Sequence, residues 1–183
     1  MNPLIQDYFE TLKTDDPELR TQAYGDIIAA SNEPVDWAYE VWDEMKRNLS
    51  HKDNHMRSIA AQILSNLAKS DPDQRMLKDF PELLAVTKDK RFVTARHCLQ
   101  SLWKIGLAGH EQREMLLKGL ENRFIECINE KNCTLIRYDI LMGLRKLFDS
   151  SKDEAVKRMA LAWIELEQDD KYKRKYMTLW RKV

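Results

Sequence analysis

One segment recurs four times along this chain, and the recurrence limits what the chain can fold into. Each copy begins with an apolar residue, replaced by Thr in the third copy, and small or apolar residues follow four, five, eight and eleven positions later. The copies begin at Leu19, Met56, Thr94 and Ile136, so that successive copies lie 37, 38 and 42 residues apart. A unit that recurs at such intervals is a supersecondary element stacked on copies of itself.

The spacing within each copy predicts helices, because apolar residues three or four positions apart share one helix face. Only five Gly and five Pro in 183 residues leave little punctuation for hairpins, which argues against an all-β fold. We predict one all-α domain over residues 1–183, an α-α superhelix (solenoid) of about four helix pairs and two capping helices. The predicted helices are 3–13 with 17–30, 34–49 with 54–69, 73–88 with 91–107, 110–129 with 133–149, and the capping helices 152–167 and 170–182.

The second copy carries a likeness to a known repeat. Residues 53–67 read Asp-Asn-His-Met-Arg-Ser-Ile-Ala-Ala-Gln-Ile-Leu-Ser-Asn-Leu, which is similar to the HEAT (HEAT/armadillo-type) helical repeat. The resemblance covers about residues 3–149. It implies stacked helix pairs whose second helices line a concave groove, and it leaves function open because such families include scaffolds, transport factors and a few enzymes. Ala95 stands where the repeat has Arg, so turn-to-turn Asp/Arg contacts are expected to be interrupted there.

The groove is expected to be lined by the residues two, six and nine positions after the start of each copy. In the second copy this stripe is small and neutral, with Ser58, Gln62 and Ser65. In the third and fourth copies it contains cations and aromatic side chains, which are frequent in binding hot spots. These predicted partner-binding residues are Arg96, Gln100, Trp103, Tyr138, Met142 and Arg145. The alternative is that Trp103 fills the core and that both arginines are only solvated.

The last helix is a second candidate surface. Tyr172, Tyr176 and Trp180 lie four residues apart and share one face, which we expect to pack against Trp163, Ile164 and Leu166 of the preceding helix. The alternative is a basic binding element for acidic partners, nucleic acid or an anionic membrane. Its possible basic patch consists of Lys171, Lys173, Arg174, Lys175, Arg181 and Lys182. Charge is uneven along the chain, since residues 1–50 hold eleven acidic and four basic side chains.

Motifs for catalysis are missing from the sequence. It has no Gly-rich phosphate loop, no His-Glu-x-x-His and no nucleophile elbow, and its three cysteines form no Cys-x-x-Cys pair. We therefore predict a non-enzymatic protein with no catalytic residues, metal or cofactor. Cys98 falls on a packing position and is expected to be a small core residue. Unpaired cysteines and the absence of a secretory signal or an apolar membrane span favour a cytoplasmic location.

These patterns support two hypotheses for function. The leading one is a protein-interaction module or scaffold that holds a partner segment in the groove of the third and fourth copies. The alternative is a nucleic-acid-binding HEAT-like protein related to the DNA alkylation repair glycosylases, a family of similar repeats with Trp, Asp and Arg in a basic groove. Trp103, Asp139 and Arg145 or Arg96 would then take those roles, although no motif of that family aligns with this chain. The chain is neutral and shorter than those enzymes usually are. The sequence leaves the partner and the oligomeric state open.

Overall fold

The computed structural model describes residues 1–181, and these residues form an all-helical structure with no strand among them. Four short 3₁₀ segments, at 68–70, 86–88, 102–107 and 127–129, directly follow α4, α5, α6 and α7. The ten α-helices are α1 (Pro3–Thr11), α2 (Pro17–Ala30), α3 (Ala38–Asn48), α4 (Asn54–Leu67), α5 (Arg75–Ala85), α6 (Phe92–Ser101), α7 (His110–Glu126), α8 (Cys133–Ser151), α9 (Glu154–Glu165) and α10 (Asp170–Thr178).

Local capping determines where several helices begin. The side chains of Asn2, Asp16, Asp53, Asp153 and Asp169 accept hydrogen bonds from backbone N–H groups of the first turns of α1, α2, α4, α9 and α10. Such caps satisfy donors that have no partner within the helix. Proline occupies the first position of α1 and α2, where its missing N–H costs nothing.

The helices pack as pairs, and the pairs contact one another in chain order. The second helices α2, α4, α6 and α8 lie side by side in one row, and the first helices α3, α5 and α7 form another. The core lies between the rows. Equivalent residues of the four copies occupy equivalent places in this core. The residues eight positions after the start of each copy are all at most 2% exposed: Ile27, Leu64, Leu102 and Leu144.

Ion pairs join the second helix of one pair to the turn inside the next pair. Arg20 of α2 contacts Asp53 at 3.1 Å, and Arg57 of α4 contacts Asp89 through two N–H groups, at 2.5 and 2.9 Å. The series is interrupted at α6, where the equivalent residue is Ala95, as the sequence predicts.

The series resumes at α8. Arg137 donates to Glu167 at 2.9 Å, and Glu167 lies in the turn between α9 and α10. These two helices therefore continue the arrangement as a fifth pair, although the sequence showed no repeat match there. None of the helices within residues 1–181 has the length and apolarity that a bilayer span needs.

Candidate binding face

The six predicted partner-binding residues lie on one surface, which we call the α6–α8 face. Arg96, Gln100 and Trp103 belong to α6 and its 3₁₀ extension, and the other three belong to the adjacent α8; all six are half-buried. The two helices are in contact at Gly143, where a Cβ atom would lie 3.8 Å from the Trp103 Cβ, an ordinary van der Waals distance. The face therefore spans two neighbouring helices and includes every residue that the stripe predicted in these copies.

A buried carboxylate, that of Asp139, fixes the position of Arg96 at one end of this face. Asp139 is 0% exposed, and its oxygens accept from Arg96 Nε at 2.7 Å, from Arg96 Nη2 at 2.9 Å and from Gln100 Nε2 at 3.0 Å. The hydrogen bond with Asp139 raises the pKa of Arg96. Within residues 1–181 the Nη1 group of Arg96 has no acceptor, and its side chain remains 35% exposed. The guanidinium is thus fixed in place while one end faces solvent, which lowers the entropy cost of binding.

Trp103 differs from the other tryptophans of the chain. Trp42 is 0% exposed, and Trp37, Trp163 and Trp180 are each 5% exposed, whereas Trp103 is half-buried and packs only partly against the core. An indole in this setting offers a large apolar surface with little conformational freedom to lose. Trp103 therefore packs against the core and keeps part of its surface open to solvent.

Helix α10 extends the face beyond α8. The Lys175 ammonium lies 4.7 Å from the centre of the Tyr138 ring, a cation–π contact. Arg145 donates from Nη1 to the Leu179 carbonyl at 2.7 Å and from Nε to Asp149 at 2.9 Å. Arg145, like Arg96, therefore uses Nε and one terminal nitrogen within the chain, and its side chain is the less exposed of the two, at 23% against 35%.

Helix α10 contacts α9, as expected, and it also packs on α8. Tyr176 is fully buried, and its hydroxyl donates to the Thr134 carbonyl of α8 at 2.8 Å; Trp180 packs on Phe148 of α8 with ring centres 6.0 Å apart. Leu166, predicted to be covered, is 50% exposed. The aromatic face is buried as predicted, but α8 provides much of the surface because α10 occupies the next position in the row of second helices.

The predicted basic patch of α10 is only partly free. Lys173 pairs with Glu165 at 2.6 Å, and Lys175 lies over Tyr138. Lys171, Arg174 and Arg181 are exposed. Lys182, the remaining member of the predicted patch, lies outside the described residues.

A second cluster of cations was not predicted from the sequence. Lys104, in the 3₁₀ extension of α6, donates to the buried Asn66 Oδ1 at 2.7 Å. Burial, followed by the charges of Lys69 and Lys146, lowers the pKa of Lys104. No carboxylate within residues 1–181 lies within 4.0 Å of these three ammonium groups. The sequence does contain a sign of this cluster, because Lys104 and Lys146 both stand ten positions after the start of their copies, on neighbouring second helices.

The predicted stripe is wrong in the second copy. Ser58 is 7% exposed and Ser65 is 0% exposed. The Ser65 hydroxyl donates to the Ala61 carbonyl at 2.8 Å and lies 3.1 Å from the Ser101 hydroxyl, while Gln62 covers Ser58 with a hydrogen bond of 3.2 Å. Short side chains here let neighbouring helices close over Ser58 and Ser65, while longer polar side chains, among them Asn54, His55 and Gln62, line a cleft of about 310 Å³ nearby.

The arrangement of titratable groups gives no indication of catalysis. Within the described part of the chain no three His, Cys, Asp or Glu side chains come together as metal ligands. Asp139, the carboxylate considered for a glycosylase-like role, is buried and bonded to Arg96 and Gln100. The chain was also compared with protein-family models and with curated proteins, and neither comparison found a match.

Proposed function

We propose that the chain is a HEAT-like α-solenoid with its second helices on the inner side. The second helices α4, α6 and α8 pack directly on one another, while clefts of about 290 Å³, 280 Å³ and 340 Å³ lie between α3 and α5, between α5 and α7, and between α7 and α9. One cleft of about 310 Å³ also lies in the row of second helices, beside α2, α4 and α6. A stack whose second helices approach one another more closely than its first helices curves toward the row of second helices, which supports a concave inner side there.

We further propose that the α6–α8 face binds an acidic segment of a partner protein. The observation that carries this proposal is one 3₁₀ segment that presents two groups, the half-buried Trp103 next to α8 and Lys104 next to α4, and Lys104 has no carboxylate partner in residues 1–181. Like charges held together without a counter-ion favour an incoming anion, and an aromatic surface next to them favours an apolar side chain. A segment that carries both kinds of side chain fits this surface.

The binding mechanism follows from the contacts on the face. An apolar or aromatic side chain of the partner would lie against Trp103 and Met142. The partner's carboxylates would be bound by Lys104 and Lys146 at one end and by the free Nη1 of Arg96 at the other. Arg145, which the stripe suggested for this role, stabilises the position of α10 through the Leu179 carbonyl instead.

A selection experiment tests the proposal without a known partner. Random peptides displayed on phage are selected on the protein, and enriched peptides are expected to combine Asp or Glu with an aromatic or large apolar residue. The variant Lys104→Glu/Lys146→Glu should lose the enriched peptides. The matched control is Lys90→Glu/Lys131→Glu, which makes the same charge change at exposed turn positions away from the face and should keep them.

The same variants distinguish the nucleic-acid alternative. Phosphate contacts make affinity fall steeply with salt, whereas an aromatic anchor is less sensitive. Binding of short DNA that disappears between low and physiological salt, together with no peptide enrichment, would replace the proposed function with nucleic-acid binding. Peptides that bind Lys104→Glu/Lys146→Glu as well as the unmodified protein would place the partner site elsewhere.

A further inference from the structure

Two buried thiols meet at the turn between α7 and α8. Cys127 begins the 3₁₀ segment that ends α7, Cys133 begins α8, and their sulfur atoms lie 3.0 Å apart as free thiols. Cys127 is 0% exposed and Cys133 is 9% exposed. The third cysteine, Cys98, is buried elsewhere in the core, with its sulfur beside the Leu83 carbonyl.

We propose that Cys127 and Cys133 form a modification site, a dithiol that peroxide converts reversibly into an intramolecular disulfide. The proposal concerns a site separate from the α6–α8 face and does not depend on the proposed function. A disulfide needs its sulfurs about 2.05 Å apart, so the two atoms must approach by only about 1 Å. The segment between the cysteines is held at Glu130, which accepts from Arg123 at 2.6 and 2.9 Å, so the approach falls to the side chains of the two cysteines.

The electrostatic surroundings favour reaction at this pair over reaction at Cys98. Burial and the hydrogen bond to Cys133 raise the pKa of Cys127 to about 12, but the guanidinium groups of Arg137 and Arg123 act in the opposite direction. Positive neighbours promote the thiolate that reacts with oxidants. Burial also raises the pKa of Cys98, with an added contribution from the negative charge of Asp89.

The reaction balances in two steps. The thiolate of Cys133, the more exposed of the two, attacks hydrogen peroxide, and with uptake of one proton gives a sulfenic acid and water. The Cys127 sulfur then attacks the sulfenic sulfur, the S–S bond forms and a second water leaves. Two thiols are thus oxidised while one peroxide is reduced to two waters. A dithiol reductant restores the thiols by exchange and is itself oxidised to a disulfide.

The disulfide would staple the end of α7 to the start of α8. The carbonyl of Thr134, the residue after Cys133, accepts the hydrogen bond from Tyr176 that fastens α10. Closing a loop of this length lowers the entropy of the unfolded chain and should raise Tm by roughly 5 °C in a protein of this size. Oxidation of Cys127 and Cys133 would therefore fix the start of α8, the helix that carries half of the α6–α8 face.

Thiol counting tests the site on the unmodified protein. The protein is incubated with hydrogen peroxide, quenched, denatured and alkylated with N-ethylmaleimide, and intact mass and peptide mapping follow. The expected product is a monomer that has lost two hydrogens, carries one maleimide on Cys98, and regains three alkylation sites after treatment with dithiothreitol.

Two single variants serve as controls. Cys98→Ser should still lose two hydrogens, whereas Cys133→Ser should keep Cys127 free or oxidise it only to a sulfenic or higher acid. If three maleimides remain on the peroxide-treated protein, or if the only disulfides formed join two chains or include Cys98, the proposal is overturned. A disulfide that forms but leaves Tm unchanged or lowers it would refute the stapling effect.

Discussion

The ion pair between Arg57 and Asp89 should contribute to stability well beyond an ordinary surface pair. The side chains are 11% and 6% exposed, and two N–H groups of Arg57 contact the two carboxylate oxygens. Arg57 Nη1 also donates to the His51 carbonyl at 2.7 Å. Breaking a buried pair costs about 3–5 kcal/mol, and exposed pairs contribute less than about 1 kcal/mol. For this largely buried pair we expect a coupling free energy of about 2 kcal/mol.

A double-mutant cycle measures this coupling. The variants Arg57→Ala, Asp89→Ala and the double variant are unfolded with urea at neutral pH, with helix content followed by circular dichroism. The matched control is Lys88–Glu126, which also joins neighbouring pairs but has both side chains 54% exposed. We expect no resolvable coupling there. If the coupling of Arg57–Asp89 does not exceed that of Lys88–Glu126, the argument from burial and geometry is refuted.

Three further predictions concern the same stack. The hydrogen bond from Arg57 holds the pKa of Asp89 below its usual 3.8. The ion pair therefore stabilises the folded state above about pH 4, and this stabilisation is lost as the pH falls through the lowered pKa of Asp89. The stability difference between the unmodified protein and Arg57→Ala, measured in acid titrations, should shrink over the same range. Gly119→Ala should destabilise by about 1–3 kcal/mol in urea unfolding, because the new Cβ would lie 2.6 Å from the phenylalanine of α5. Gly25→Ala has open space and should instead stabilise by about 0.5–1 kcal/mol, and equal effects at the two sites would contradict the packing described. Asn66→Ala should lower the free energy of unfolding in urea by about 2–3 kcal/mol, since this 1%-exposed amide bonds to the end of α2 and accepts from Lys104. A loss below about 1 kcal/mol would show that these hydrogen bonds contribute little to stability.

Helix positions could be read from the sequence because their signals are local. The helices predicted to begin at residues 3, 17, 54, 110, 133 and 170 do begin there, whereas α3 begins at residue 38 and not 34, α5 at 75 and not 73, and α9 at 154 and not 152. A cap and the residues it serves lie within one turn, and the apolar spacing identifies the buried side of each helix. The same local logic placed Trp103 and its companions on one exposed stripe, and in the structure these residues are half-buried.

Contacts between helices could not be read in this way. The spacing of Tyr172, Tyr176 and Trp180 shows that they share a face, but it does not show which helix they meet; the bond to the Thr134 carbonyl crosses 42 residues. The burial of Asp139 under Arg96 likewise depends on how closely α6 and α8 approach. Both features are set by tertiary packing, which a periodic pattern does not encode.

Short side chains explain the failure in the second copy. Helical geometry placed Ser58 and Ser65 on the exposed stripe, as it did the larger residues of later copies. On α4, which has α2 on one side and α6 on the other, a serine does not reach past the neighbouring helices. The short residues Thr21 and Gly25 at the equivalent positions of α2 stay exposed, because only α4 lies beside α2 in the row. Side-chain size, as well as position in the repeat, therefore decides which stripe residues are available to a partner.

The Trp103 indole provides the most direct test of binding at the α6–α8 face. The chain has five tryptophans, and Trp103→Phe assigns its N–H signal in a ¹H–¹⁵N spectrum. An acidic, aromatic peptide obtained by selection is then titrated into the labelled protein. The account predicts a saturable shift of the Trp103 signal, much larger than that of the four buried indoles, that is lost in Lys104→Glu/Lys146→Glu. A peptide that binds while the Trp103 signal stays in place would contradict the account.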